Sequence, residues 1–409
     1  MNDNISMNQV SQFWRQKLSA FLHDTPSKCL DIRNHGEFSR EAHIRAGLIN
    51  NDQQKADYDR RADTTAASAD RLPWPDPRAA SMSCVFDGER NAFRHPMGNF
   101  KNKPSPQIPF TPFKSVEQSL EGEGSTQPLI DHFPKSWDEV QRWRARFFAH
   151  WRLWLRNAVD TDYRYAFLPA DTRIPDHTIW NHMQVVSALA GCVDSNNNLS
   201  PAFFRFQIGG IQDFISEARS TRDLWSGSYL FSWLMATGLK CISEICGPDA
   251  VIFPNLRGQP IFDFLWRDEI WNEVRMHEKT DSCWEELKPD DHSLVIPNLP
   301  NVFLAVVPAA EISDIGSAIT NAVICEWKHI AKSVWKNCEE ANLTEDEGAI
   351  KKDERKERFD AQVNRSLDIS WQGEPWPESI DKAVELVKHA PEGSPMNYAR
   401  ERSLAVINM

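Results

Sequence analysis

The sequence lacks several things that would narrow its function at once. No Cys-x-x-Cys pair occurs among its eight cysteines, and their spacings fit no structural zinc set. Of Cys29, Cys84, Cys192, Cys241, Cys246, Cys283, Cys325 and Cys338, several sit among apolar residues at helical spacing and read as buried thiols of a reducing compartment. No apolar run approaches the roughly 18 residues of a membrane span. The first residues, MNDNISMNQVSQFW, have no basic segment leading into an apolar one. A cytoplasmic protein without a membrane partner is expected. Positive charge is also in deficit: 46 Lys and Arg stand against 58 Asp and Glu, a net charge of −12. A protein that coats nucleic acid non-specifically needs clustered cations. That function is excluded, while a local basic groove or partner-held nucleic acid is not.

What is present is aromatic. Sixteen Trp and twenty-two Phe in 409 residues supply core for two or three domains. Apolar periodicity predicts helices over 8–32, 37–71, 136–159 and 176–191, the first bent at Pro26 and the second polar-faced. Between the second and third, residues 73–135 carry ten prolines from Pro73 to Pro134. They read as a long irregular insertion on the surface. From residue 203 the style changes. Phe203–Ile208 reads as a strand running into Gly209-Gly210, followed by a helix over 211–246. Ala250–Phe253, Ile261–Phe264 and Val302–Val307 read as further strands. A long helix follows, with Ile312, Ile315, Ile319, Val323, Trp327 and Ile330 at spacings of three and four. Strands covered by two helices predict an α+β layer. Residues 343–360 are rich in charge and read as a solvated helix or linker.

The first chemical signal is His23-Asp24, at the end of the apolar run Leu18, Phe21, Leu22. Imidazole and carboxylate suit first-row divalent metals, and a carboxylate can bridge two of them for phosphodiester hydrolysis. Lys28 lies one helical turn further on, placed to meet a phosphate. His35 and Glu37 follow, then Asp63 and Asp70 on one predicted helix. His182 shares a helical face with Val186 and Leu189, so its ring points inward. Taken alone it reads as a core histidine. Gly209-Gly210 and Ser226-Gly227-Ser228 suit either backbone N–H groups receiving a triphosphate or tight turns and close packing.

Two stretches together resemble a family. Phe21-Leu22-His23-Asp24-Thr25-Pro26-Ser27-Lys28-Cys29-Leu30, with Asn34-His35-Gly36-Glu37 after it, is similar to the opening of the large subunit of type III-B, Cmr-type CRISPR effector complexes. Phe206–Ile215 and Ala218–Leu230 resemble the first palm domain of the same subunits, with smaller echoes at Pro169–His177 and Pro300–Ala305. The resemblance covers most of 15–380 and leaves the proline-rich insertion poorly matched. It implies a mostly helical, circularly permuted HD domain at 1–198 that includes the insertion. A ferredoxin-like palm at 199–342 follows, an antiparallel sheet with helices on one face, then a charged linker and helical segment at 343–409.

The implied activity is a metal-dependent nuclease on single-stranded DNA. His23, Asp24 and Lys28 would be its catalytic groups, and His23, Asp24, His182, His35 and Asp70 its ligands for Mn, Ni or Mg. The implied partners are other type III effector subunits, crRNA, target RNA and a separately encoded second palm. ATP would rest against Gly209, Gly210, Ser226, Gly227 and Ser228. Three departures weigh on this. Asn181 stands where an acid is common, no GGDD turn occurs, and Asp290-Asp291 reads as a solvated loop. An inactive scaffold that binds nucleotide and docks crRNA-complex partners is the competing expectation. The aromatic run Leu224, Trp225, Tyr229 and Trp233 is the candidate partner surface.

Overall fold

A computed structural model describes residues 7–50, 60–70, 119–121, 125–170, 177–194, 196–341 and 351–377, with Lys382 and Glu385. Through residue 194 the described chain is mainly helical. α1 (Met7–Phe21) buries Trp14, Leu18 and Phe21, one stripe at spacings of three and four. The helix expected to reach residue 32 stops there, and Pro26 opens a separate 3₁₀ turn, Pro26–Cys29. At that position its missing N–H costs nothing. The helix expected over 37–71 is two, α2 (His35–Arg45) and α3 (Arg60–Asp70). Of the proline-rich stretch, 73–118 and 122–124 lie outside the described residues. Its end, β1 (Ile130–His132), pairs antiparallel with β4 (Arg275–Met276).

α4 (Glu139–Thr161) begins on a reciprocal cap. The Asp138 side chain accepts from the Gln141 N–H, and the Gln141 side chain accepts from the Asp138 N–H. Its apolar face buries Trp143, Phe147, Trp151 and Trp154. α5 (Ile179–Ala190) is capped by Thr178 and packs, like α4, against α1.

The remainder is a layered α+β unit. β2 (Pro201–Gly209), β3 (Val251–Phe253), β5 (Val302–Pro308) and β6 (Asp368–Pro375) form an antiparallel sheet in the order β3-β5-β2-β6. β2 alternates as a half-buried strand does: Phe204, Phe206 and Ile208 are buried, while Phe203 and Arg205 are exposed. Two helices belong to this unit, α7 (Thr221–Cys246) and α11 (Ile312–Glu340). They touch at Gly238, where a Cβ would stand 3.2 Å from Ile319 Cγ2 and 3.4 Å from Val323 Cγ2. Gly316 of α11 is covered in the same way by the Trp371 ring of β6.

Three expectations change. The helix expected over 211–246 is α6 (Ile211–Ser216) followed by α7, because Ser220 turns out of helical geometry and caps α7 through the Asp223 N–H. Ile261–Phe264 is not a strand but lies within α8 (Pro260–Leu265). Pro260 sits in its first turn, and buried Asp263 receives Arg152 of α4 with Nε–Oδ1 at 3.0 Å and Nη2–Oδ2 at 2.7 Å. A short apolar run does not by itself separate strand from buried helix. Third, 343–409 is not only a charged linker with helix. α12 (Lys352–Val363) fits that expectation, but β6 runs beside β2 from Ala202 opposite Pro375 to Gly209 opposite Asp368. The short helices α9 (Cys283–Leu287) and α10 (Asp291–Leu294) complete the described α-helices.

A buried ion pair is among the contacts that join the helical part to the sheet. Lys17 of α1 is fully buried, and its Nζ donates to Asp249 Oδ2 at 2.8 Å and to the Ser187 carbonyl of α5 at 3.1 Å. Asp249 lies in the turn between α7 and β3. Ser187 Oγ donates back to the Lys17 carbonyl, and Gln184 Nε2 donates to the Asp249 and Val251 carbonyls. Lys17→Met would leave a buried carboxylate without its cation, a loss of about 3–5 kcal/mol. Urea unfolding should show that loss, and Lys17→Met with Asp249→Asn should recover more than half of it. A single variant as stable as the parent would contradict this role.

Candidate metal centre

The chain leaves α1 at Phe21 and turns through residues 22–25, held by Ser39 Oγ donating to the Leu22 carbonyl at 3.1 Å. That turn carries His23 and Asp24 inward, toward α3 and α5. His23 Nδ1 lies 2.7 Å from the Ala20 carbonyl, which only accepts, so Nδ1 carries a proton and Nε2 is the nitrogen turned to the cluster. Nε2 faces two carboxylates, 3.3 Å from Asp24 Oδ2 and 3.3 Å from Asp63 Oδ1. His182 Nε2, brought by α5, is 3.5 Å from each of the same two oxygens. One ligand atom from each of the four residues falls within 4.8 Å of every other. His23, Asp24 and His182 are buried, whereas the Asp63 side chain is 35% exposed, so the cluster meets solvent on the α3 side.

The electrostatics are those of a compact mixed cluster. Burial opposes charge on His23, but the Asp24 carboxylate beside it prevails and raises its pKa. Burial also opposes ionised Asp24, yet His23, His182 and Lys28 hold its pKa well below the usual carboxylate range. Asp63 is lowered too, against burial, by hydrogen bonds from His182 and His23. Lys28 closes onto Asp24 Oδ2 as an i,i+4 ion pair.

The structure thus places His23, Asp24, Lys28 and His182 together and adds Asp63. His35 stands apart: it is exposed at the start of α2, with Nδ1 on the Ile32 carbonyl at 2.6 Å, because that turn faces solvent. The side chain of Asp70 lies outside the described residues. Asp63 is legible as an acid on a helix, but only tertiary placement brings it to the histidines. Asn181 is exposed, and its backbone N–H donates to Thr178 Oγ1, the cap of α5. His43 lies behind the site as a core residue, with Nδ1 on the Ser39 carbonyl and Nε2 2.9 Å from Ser19 Oγ.

Sequence reasoning missed Glu121. It is buried at the end of the proline-rich stretch and takes the Ser27 N–H, 3.4 Å from Oε1. Burial pushes its pKa up to about 8. No local pattern marks it, since its burial depends on a contact with residue 27.

The glycines and serines expected to hold nucleotide divide. Gly209, Gly210 and Ser228 line a cavity of about 420 Å³ with Gln207, Asp213 and Asn301. Ser226 does not line it and stays exposed on α7, while Gly227 is closed by the Phe214 ring. For Gly227 close packing is therefore the reason for glycine. Asp290 and Asp291 are both exposed, Asp290 capping α10 through the Ser293 N–H.

These features define a class first: a helical unit with a two-histidine, two-carboxylate cluster, joined to a four-stranded antiparallel layer. Comparison with known proteins carries the assignment further. Residues 203–332 match the family described as CRISPR-associated protein Cmr2, N-terminal. The chain is 27% identical over 348 residues to the CRISPR system Cmr subunit Cmr2 of Pyrococcus furiosus, across 76% of this chain and 36% of that protein. It is 26% identical over 298 residues to the Cmr2 subunit of Saccharolobus solfataricus, across 68% of this chain and 27% of that one. The chain thus spans roughly a third of the length of these curated relatives. By fold it resembles a chain of the type III-B Cmr-beta complex in its apo state, with a TM-score of 0.61 at 19% identity over 96% of this chain and 40% of that chain. A chain of the same complex bound to cognate target RNA gives 0.53 at 19% identity, over 88% and 36%. By these matches the chain is similar to an N-terminal part of the Cmr2 large subunit of type III-B CRISPR systems. Among the described residues no helix is long and apolar enough to cross a membrane.

Glu121 provides a pH prediction. Its folded pKa, about 8, lies above the ordinary value of 4.5, so the native state holds this proton more tightly than the unfolded chain. Its stabilising contribution is complete below about pH 4.5 and falls as pH rises toward about 8. Glu121→Gln should remove that part of the slope and make the protein more stable than the parent at pH 8. Parallel slopes for the two proteins in denaturant titrations across this range would refute the assignment.

Proposed function

We propose that the chain supplies a divalent-metal-dependent phosphodiesterase site that cuts single-stranded DNA within a type III RNA-guided effector complex. The observation that carries this reading is the convergence of His23, Asp24, Asp63 and His182 from three separate segments onto one volume. Charge-neutral imidazole nitrogens and carboxylate oxygens in that ratio suit Mn or Ni better than Mg, whose preference is for oxygen alone. The cytoplasm is the compartment this function requires.

A bound divalent ion would supply an acidified water and polarise the scissile phosphate. The chain's own residues do the rest. The Ala20 carbonyl fixes the tautomer that turns His23 Nε2 inward. Lys28 orients Asp24 and presents an ammonium to the phosphate's negative charge. Asp63, at the solvent-facing side, stands where substrate enters.

The helical part reads as a permuted HD domain, since the helix bearing His182 comes last. The sheet unit reads as a ferredoxin-like palm. Its strand–helix–strand–strand–helix–strand order, with β3 and β6 at the edges, supports this. ATP would occupy the cavity at Gly209, Gly210 and Ser228. Leu224 and Trp225, each 43% exposed, offer a surface for a second palm or another effector subunit. The crRNA and target RNA would be met through those subunits.

With Mn²⁺ or Ni²⁺ the purified chain should cleave single-stranded DNA. Asp24→Asn and His23→Ala should each lower the rate by at least about 100-fold while circular dichroism is unchanged. Undiminished cutting by either variant, or in excess chelator, contradicts the assignment. Parent and variants all inactive while nucleotide and effector subunits still bind is the result expected of a scaffold.

A further inference from the structure

A cavity of about 320 Å³ opens on the helical part, between the end of α2, β1, α4 and the loop after β4. It shares no lining residue with the metal cluster or the Gly209 cavity. Its volume is at the lower end of small-molecule sites. Its wall includes Arg45, Gly47, Asp131, Arg146, His150 and His277.

The charges there are unusual for a chain of net charge −12. Arg146 stacks on two rings, its guanidinium carbon 4.8 Å from the Phe133 centroid and 4.7 Å from that of Trp143. Arg15 stands 4.8 Å from the same Trp143 ring. Stacking holds a guanidinium in place while leaving its N–H edges available. Burial and the like charges of Arg142 and Arg15 lower the pKa of Arg146, so its surroundings are cationic. Arg45 donates Nη1 to the backbone carbonyl of Glu121, 2.9 Å away. Glu121 and Glu41 act electrostatically on Arg45, but neither carboxylate is part of the cavity wall. Asp131, the acid of the wall, is paired to His277 Nδ1 at 2.7 Å. His150 is buried, with a pKa pushed down to about 4, and adds no charge.

Two guanidinia therefore face one small cavity whose acid is already engaged. Planar N–H forks at fixed positions match a tetrahedral oxyanion carrying more than one charge. We infer that this cavity is a phosphate-binding site in which Arg45 and Arg146 hold a phosphate group, with His277 at its rim. The phosphate belongs either to a free phosphate compound or to a single-stranded nucleic acid.

The test is titration calorimetry on the full chain in excess chelator, which silences the metal cluster. Inorganic pyrophosphate is one ligand and an oligothymidylate is the other. Pyrophosphate should bind, and Arg146→Gln should weaken it about tenfold or more, as loss of a charge-assisted hydrogen bond does, with Arg146→Lys in between. His277→Gln alters an exposed side chain and should weaken binding about threefold without changing the melting temperature. It decides the matter should Arg146→Gln fail to fold. Oligothymidylate binding that pyrophosphate displaces, with the same variant dependence, identifies nucleic acid as the source. Variant-sensitive binding of pyrophosphate alone identifies a free phosphate compound. No binding of either ligand, or equal affinity for parent, Arg146→Gln and His277→Gln, overturns the proposal.

Discussion

The ammonium of Lys17 is taken entirely out of water, and much of the molecule is arranged around the partners that make this tolerable. Removing a cation from water costs several kcal/mol unless opposite charge and hydrogen bonds replace the solvent. Here the Asp249 carboxylate and the Ser187 carbonyl do so. Asp249 belongs to the turn between α7 and β3, and Ser187 to α5. Lys17 lies six positions before His23 on the segment leading into the metal-cluster turn, and Ser187 five positions after His182 on α5. The contact that docks the sheet therefore also fixes the separation of the two helices that deliver the histidines. Four ligand atoms within 4.8 Å require that separation to be set by something stiff. A buried, hydrogen-bonded charge pair is stiffer than apolar packing alone, because the charge has no comparable second position.

How much of this could be read from residues alone follows from where each signal resides. The chemistry of His23-Asp24 is local, and the inward face of His182 follows from its spacing to Val186 and Leu189. Both could be found without coordinates. Asp63 could be named but not tied to the histidines, since that depends on how α3 lies against α5. Glu121 was invisible because its raised pKa comes from burial under the 25–27 turn, across ninety-odd positions of chain. β6 was hidden for a different reason. As an edge strand it is mostly exposed, so Ile369, Trp371 and Gly373 do not form the apolar alternation that identifies a half-buried strand. It is anchored by the close approach of Trp371 to Gly316, a tertiary fit with no sequence period. α8 was misread in the opposite direction, as four apolar-looking residues contain Asp263, whose partner Arg152 lies 111 positions away.

The helical unit and the sheet differ in what they offer chemistry. The helical unit concentrates charge at two places, an acidic-imidazole cluster open toward solvent at Asp63 and an arginine-lined cavity beside α4. The sheet unit offers a polar cavity at the Gly209 turn and exposed aromatics on α7. A chain with a net charge of −12 that still stacks Arg15 and Arg146 on aromatic rings holds some of its cations at defined points.

The proposed divalent ion would be held by residues of three segments, and anomalous diffraction addresses that most directly. Crystals equilibrated with Mn²⁺, measured on both sides of the manganese absorption edge, should show a peak enclosed by Nε2 of His23, Nε2 of His182 and the carboxylates of Asp24 and Asp63. Crystals that take up Mn²⁺ elsewhere but show no peak among these four residues would contradict it.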